Sequence, residues 1–233
     1  MADDMSVDSE AAIVLFHGQN LCSLAPLLAL EIADARYEVR LVEMAGDRLE
    51  LRSYNPAGTV PTMLVGSSVL TENLAICCFI ADSFPHSQLL PSLPLARAKC
   101  LAWLSWFASS MHIARRRGRL PERFSDAGDS WESIRTKGRA EYIAGLVKIN
   151  QHLAGGPYME GRSPTVADLQ ALLCYCWALI DKYELIGLTH YRKFVQELVL
   201  HPPIARVLAM DRSPLLTNTL AQSHAKLPRG SVQ

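Results

Sequence analysis

The stretch Asn55-Pro56-Ala57-Gly58-Thr59-Val60-Pro61-Thr62-Met63-Leu64 decides how this chain is read. Pro56 and Gly58 suit a turn, the first by its fixed φ and the second by its freedom to take a positive one. Val60-Pro61 then leads directly into a β-branched and apolar run. A proline at the entrance of a strand can take the cis form, which turns the backbone groups of the preceding residue outward. An N–H and a C=O left free in this way can pair with an extended peptide ligand, as an added strand would. The same residues also suit an ordinary turn before an edge strand, and local reading leaves both open.

Working outward, strand and helix signals alternate. Residues 11–16 form an apolar run that reads as a buried strand. Leu24, Leu27, Leu28 and Ile32 follow helical spacing. Tyr37, Val39 and Leu41 alternate with charged residues as a second strand. Runs 62–65 and 68–70 flank Gly66-Ser67 as a hairpin. Leu74, Cys77, Phe79, Ile80 and Phe84 resume a helical pattern, with Thr71 as its expected N-cap. This order predicts a mixed sheet covered by helices. Pro85, Pro91 and Pro94 then mark an extended linker.

Everything beyond the linker reads as helix. Leu101, Leu104, Ala108 and Met111 share one face of a long helix, and Ile143, Leu146, Val147, Asn150 and Leu153 mark another. A third spans 165–181, and a fourth runs from Tyr191 to Leu200 before His201-Pro202-Pro203 breaks it. Thr165 and Asp168 have capping-box spacing. The tails, residues 1–10 and 222–233, read as disordered. The expected fold class is therefore an α/β N-terminal domain over 11–86 and an all-α domain over 96–221.

Composition excludes several functions. Of 233 residues, 49% are hydrophobic and 20% charged, enough for a real core. Lys plus Arg and Asp plus Glu number 23 each, so no bulk charge attracts nucleic acid. No apolar run reaches the length of a membrane span. The N-terminus lacks the cationic start and apolar stretch of a secretory signal, so the expected location is the cytoplasm. Six cysteines occur without a C-x-x-C pair or a Cys/His spacing typical of zinc, so no metal is expected. Cys77, Cys78, Cys100, Cys174 and Cys176 lie in apolar surroundings and read as small core residues.

Cys22 differs. It sits just before the first helix, where a helix N-terminus lowers a thiol's pKa. The alternative is a small residue packed under the loop. Glu72, at the start of the next helix, offers a partner to a ligand ammonium, while the helix N-terminus attracts a carboxylate. The plainer role for Glu72 is to help its own helix.

With Asn55-Pro56-Ala57-Gly58-Thr59-Val60-Pro61 followed by Thr71-Glu72, the chain resembles the cytosolic glutathione transferases over residues 13–212. Leu21-Cys22-Ser23-Leu24-Ala25-Pro26 is similar to a segment of their bacterial Beta class, as is the helix from Trp103 to His112. The resemblance implies a thioredoxin-like first domain that binds glutathione as co-substrate, and a helical second domain that supplies much of an electrophile pocket. Carried over, Val60 would pair its backbone with the cysteinyl unit, Pro61 would be cis, and Glu72 and Asn73 would hold the γ-glutamyl end. Cys22 or Ser23 would stabilise the glutathione thiolate, with His112 assisting. Trp106, Phe107, Met111 and Trp177 are candidates for the apolar pocket. A homodimer and a detoxifying role are also implied.

The sequence departs from the family at three places. Phe16 and His17 stand where a tyrosine is common, Asn73 replaces a serine, and Ile113 replaces a lysine. Arg115 or Arg116 is a candidate to restore that last charge, the alternative being a solvated helix end. The leading expectation is conjugation of glutathione to small apolar electrophiles. The alternatives are thiol–disulfide exchange through Cys22, which replacement by serine would abolish, or a non-catalytic binding module on the same fold.

Overall fold

Strand β1 (Ile13–His17) is buried along its whole length, and the sheet is built around it. β2 (Tyr37–Leu41) pairs with it in parallel on one side, and β3 (Thr62–Val65) pairs antiparallel on the other. β4 (Ser68–Thr71) closes the hairpin on β3, giving the order β2-β1-β3-β4. The computed structural model describes residues 12–217, so the expected disordered tails and the expected domain end at 221 lie outside the described residues.

Helix α1 (Leu24–Ile32) packs against the sheet with Leu24, Leu27, Leu28 and Leu30 fully buried. Each such leucine contributes roughly 2 kcal/mol of apolar burial. Pro26 is tolerated because it stands in the first turn, where its missing N–H has no intrahelical partner. A short α2 (Leu49–Tyr54) fills the connection before β3, and α3 (Asn73–Ser83) follows β4. This is the mixed arrangement that the alternation of signals predicts, and the thioredoxin-like one that the resemblance implies. One boundary differs. β4 runs through Thr71, and the N-cap of α3 is Glu72 rather than Thr71.

The proline segment is not a free linker. Leu89 and Leu90 are buried, and the Leu89 carbonyl accepts the Val166 N–H at 2.8 Å. It lies against α7 (Val166–Ile180), which is buried around nearly its whole circumference because it is the central helix of the second layer. The Asp168 carboxylate, fully buried, accepts the N–H and hydroxyl of Thr165 and the Met159 N–H, each at 2.7 to 2.8 Å. This is the cap that the spacing predicts.

The long helix begins at Pro94 as α4 (Pro94–Trp106) and continues through a π turn over Phe107–Met111 into α5 (His112–Arg119). The π turn inserts one residue into the helical count. Phe107 therefore takes the inward place, while Ala108, expected on the buried face, is exposed. α6 (Trp131–His152) lies against α5, and α8 (Thr189–Leu198) follows α7. His201-Pro202-Pro203 does end a helix, but the prolines also occupy the first turn of another, α9 (Pro202–Met210), which the sequence reading missed.

The approach of α5 to α6 depends on Gly138. A Cβ there would lie 2.6 Å from the Gly118 nitrogen and 2.7 Å from the Ala114 oxygen, both backbone atoms. Gly138→Ala should therefore destabilise the protein by about 1–3 kcal/mol through overpacking, despite the better helix propensity of alanine. Urea unfolding measures this, and an unchanged or higher midpoint would contradict the close contact.

Candidate active site

The site forms where the loop after β1 meets the turn before β3. Asn55 builds that turn. Its Oδ1 accepts the Ala57 N–H, and its Nδ2 donates to the Thr59 carbonyl and to the hydroxyls of Thr59 and Thr62. Gly58 sits at φ +60°, the conformation that the turn requires of it. The Val60–Pro61 bond is cis.

Cys22 comes to this turn from the other side. Its Sγ–H donates to the Val60 carbonyl at 2.8 Å, and its own carbonyl accepts the Asn73 Nδ2–H at 2.7 Å. Burial pushes the thiol up to about 11. The N–H groups of Cys22 and Ser23 and the charge of Arg115 offset this only in part, and Glu72 adds to it. The lowered pKa expected beside a helix N-terminus is thus overturned, because desolvation outweighs the helix end. Cys22 is a protonated donor at neutral pH.

Ser23 is not available as a catalytic hydroxyl. It is fully buried, its Oγ accepts the Gly18 N–H at 3.0 Å, and it lies 2.9 Å from His17 Nδ1. His17 Nε2 in turn lies 2.9 Å from the Asp211 carboxylate. With Nε2–H facing the carboxylate, Nδ1 accepts the Ser23 hydroxyl proton and every member is satisfied. This Ser–His–Asp chain is closed to solvent and holds the loop 18–22.

Glu72 is exposed and held at φ 70°, ψ 120°, a backbone conformation that costs free energy in a non-glycine residue. Asn73 begins α3, so its N–H is one of the unpaired donors of that helix end. Its side chain is engaged within the protein, donating to Cys22 and accepting the Cys77 thiol proton at 3.3 Å.

His112 opens α5 directly after the π turn and stacks on Trp177 with ring centroids 5.5 Å apart. Burial pushes its pKa down to about 4, helped by the charges of Arg116 and Arg115, so the ring is neutral at pH 7. Among the described residues His112 makes no hydrogen bond to Cys22. Arg115 does not replace the missing lysine. It is buried, its Nε donates to Asp181 at 2.7 Å, and its guanidinium lies 4.4 Å from the Trp177 ring centre. Phe107, Met111 and Trp177 are core residues rather than pocket walls, and only Trp106 of the four candidates is part-exposed.

Sequence reasoning missed three residues. Asn20 and Asp211 join the loop 18–22 to the helical layer, and only the unremarked Asn20 in a short polar stretch hinted at this. Arg48 reaches the turn 55–58, where its Nη1 donates to the Gly58 carbonyl at 2.9 Å and its buried Nε has no partner. Among the described residues no group of acidic, cysteine and histidine side chains could hold a metal, and no helix is long and apolar enough to cross a membrane.

The family described as "Glutathione S-transferase, N-terminal domain" matches residues 21–83. Glutathione S-transferase GstA of Escherichia coli O157:H7 is 30% identical over 203 residues, covering 84% of this chain and 98% of the relative. The maleylacetoacetate isomerase of Rhizobium meliloti is 29% identical over 61% of this chain and 70% of its own length. A solved sphingomonad glutathione S-transferase complexed with glutathione superposes with a TM-score of 0.74 at 27% identity, covering 85% of this chain and 98% of that one. Matched in sequence over nearly the whole length of a named transferase, and in fold over the same span, this chain belongs to the glutathione S-transferase family.

Proposed function

We propose that the protein binds glutathione between the Cys22 loop, Val60-Pro61 and the start of α3, and adds its sulfur to small apolar electrophiles. The observation that carries this reading is the neutral Cys22 thiol against the Val60 carbonyl at the cis Val60–Pro61 bond. A protonated thiol is a hydrogen-bond donor. Placed beside the sulfur of glutathione, it favours the thiolate, which is the nucleophile of the reaction. Val60 and Pro61 would receive the cysteinyl unit, while Glu72 and the Asn73 N–H would meet the ammonium and carboxylate of the γ-glutamyl end. Arg48 offers a charge to the second carboxylate. His112, neutral and half-buried, would donate or pass a proton near the sulfur rather than act as a cation.

The high thiol pKa counts against thiol–disulfide exchange, which requires Cys22 itself as the attacking thiolate. The reading divides the chain into a glutathione-binding domain, 11–86, and a helical domain, 96–221, acting as a homodimer in the cytoplasm on electrophiles that the cell must clear.

Calorimetric titration of the reduced protein with glutathione at neutral pH should give saturable binding at one site per chain. Absence of binding at millimolar glutathione would overturn the proposal. Glu72→Gln should weaken that binding about tenfold or more, the usual loss for a hydrogen bond to a charged group. An unchanged affinity would remove Glu72 from the site. Cys22→Ser should retain conjugation measured with a chromogenic aryl halide, since glutathione brings its own sulfur. Complete loss of conjugation, together with strong disulfide reduction by the unaltered enzyme, would favour exchange instead.

A further inference from the structure

Asn20 has four polar groups, and the helical layer meets all of them. Its backbone N–H donates to the two Asp211 carboxylate oxygens at 2.9 and 3.2 Å. Its backbone carbonyl accepts the Trp177 Nε1–H at 2.9 Å. Its Nδ2 donates to the Asp211 carbonyl at 3.3 Å, and its Oδ1 accepts the Cys176 thiol proton at 3.4 Å. The residue sits at φ 53°, the left-handed region where asparagine is several-fold enriched. Gln19 adds a further bond to the Asp211 carbonyl. Asp211 closes α9 and Trp177 lies in α7, so two helices hold one loop residue.

Cys22 is two residues away. Its sulfur reaches the Val60 carbonyl only while the loop 18–22 keeps this path. We propose that Asn20 is the positioning residue of Cys22: docked at four points by α7 and α9, it holds the half-buried thiol against Val60. The charged groups that act on the thiol are Arg115 and Glu72, while His17 and Asp211 face the docking point. The catalytic consequence rests on the function proposed above, but the positioning is a property of the free protein and is measured there.

The test is alkylation of Cys22 by iodoacetamide, followed peptide by peptide in the mass spectrometer across a pH series. The unaltered protein should react slowly at neutral pH and accelerate only in alkali. Asn20→Ala, which removes the side-chain bonds and strains the backbone, should raise the neutral-pH rate at Cys22 about tenfold or more, with the pH profile moving toward that of an ordinary thiol. Trp177→Phe removes one donor and keeps a ring between His112 and Arg115, and should act in the same direction. Asn20→Gly keeps the left-handed backbone and the two backbone contacts, and should recover part of the protection. Cys100, fully buried in the core, remote from Asn20 in sequence and the single cysteine of its tryptic peptide, reports general opening. Acceleration at Cys22 well beyond that at Cys100 supports the proposal. Equal acceleration at both, or none at Cys22 in any folded variant, overturns it. If the unaltered protein fails to bind glutathione, the proposed function falls, while the alkylation rates still decide the role of Asn20.

Discussion

A single buried carboxylate sets the terms for the rest of the site. Asp211 is wholly removed from solvent, and a buried charge is tolerated only when hydrogen-bonded partners surround it. Its partners are His17 and the Asn20 N–H, both from the sheet domain. His17 in turn orders Ser23, and Ser23 orders Gly18. The loop that carries Cys22 is therefore folded around a group supplied by the end of α9, and this polar contact joins the two layers beside the apolar core that they share.

The thiol at this junction illustrates how competing effects are weighed. A helix terminus contributes roughly 0.3–1 kcal/mol to a neighbouring charge. Removing a thiolate from water costs more than that, and here it prevails. A position before a helix is consequently insufficient to make a cysteine nucleophilic. What the position retains is directionality: the Sγ–H points at a carbonyl, and it would serve equally well any sulfur anion placed beside it.

Much of the fold was legible in the sequence because it rests on local chemistry. The period of the apolar residues marked every strand, and Thr165 with Asp168 marked the start of α7 before any contact was known. Asn55, Pro56 and Gly58 encode their own turn, while the cis Val60–Pro61 bond, which the local residues left open, followed from the family resemblance. Features set by tertiary contact were not legible. The π turn at Phe107–Met111 leaves no signature in propensity, so Ala108 was assigned to the wrong face. Ser23 looks like a free hydroxyl beside Cys22 until His17 closes over it. Arg115 looks like a surface cation until Asp181 and Trp177 enclose it. In each case the deciding partner lies far along the chain.

The distance along the chain between Asn20 and Asp211, 191 residues, also orders events during synthesis. Contacts of such separation form only after the intervening loop has closed, which slows folding. On the ribosome the sheet can assemble early, because its strands lie within the first third of the chain. Its active-site loop cannot be completed then, since the carboxylate that organises it emerges 191 residues after Asn20. A nascent chain that has not yet exposed α9 would thus hold a folded sheet without a finished site.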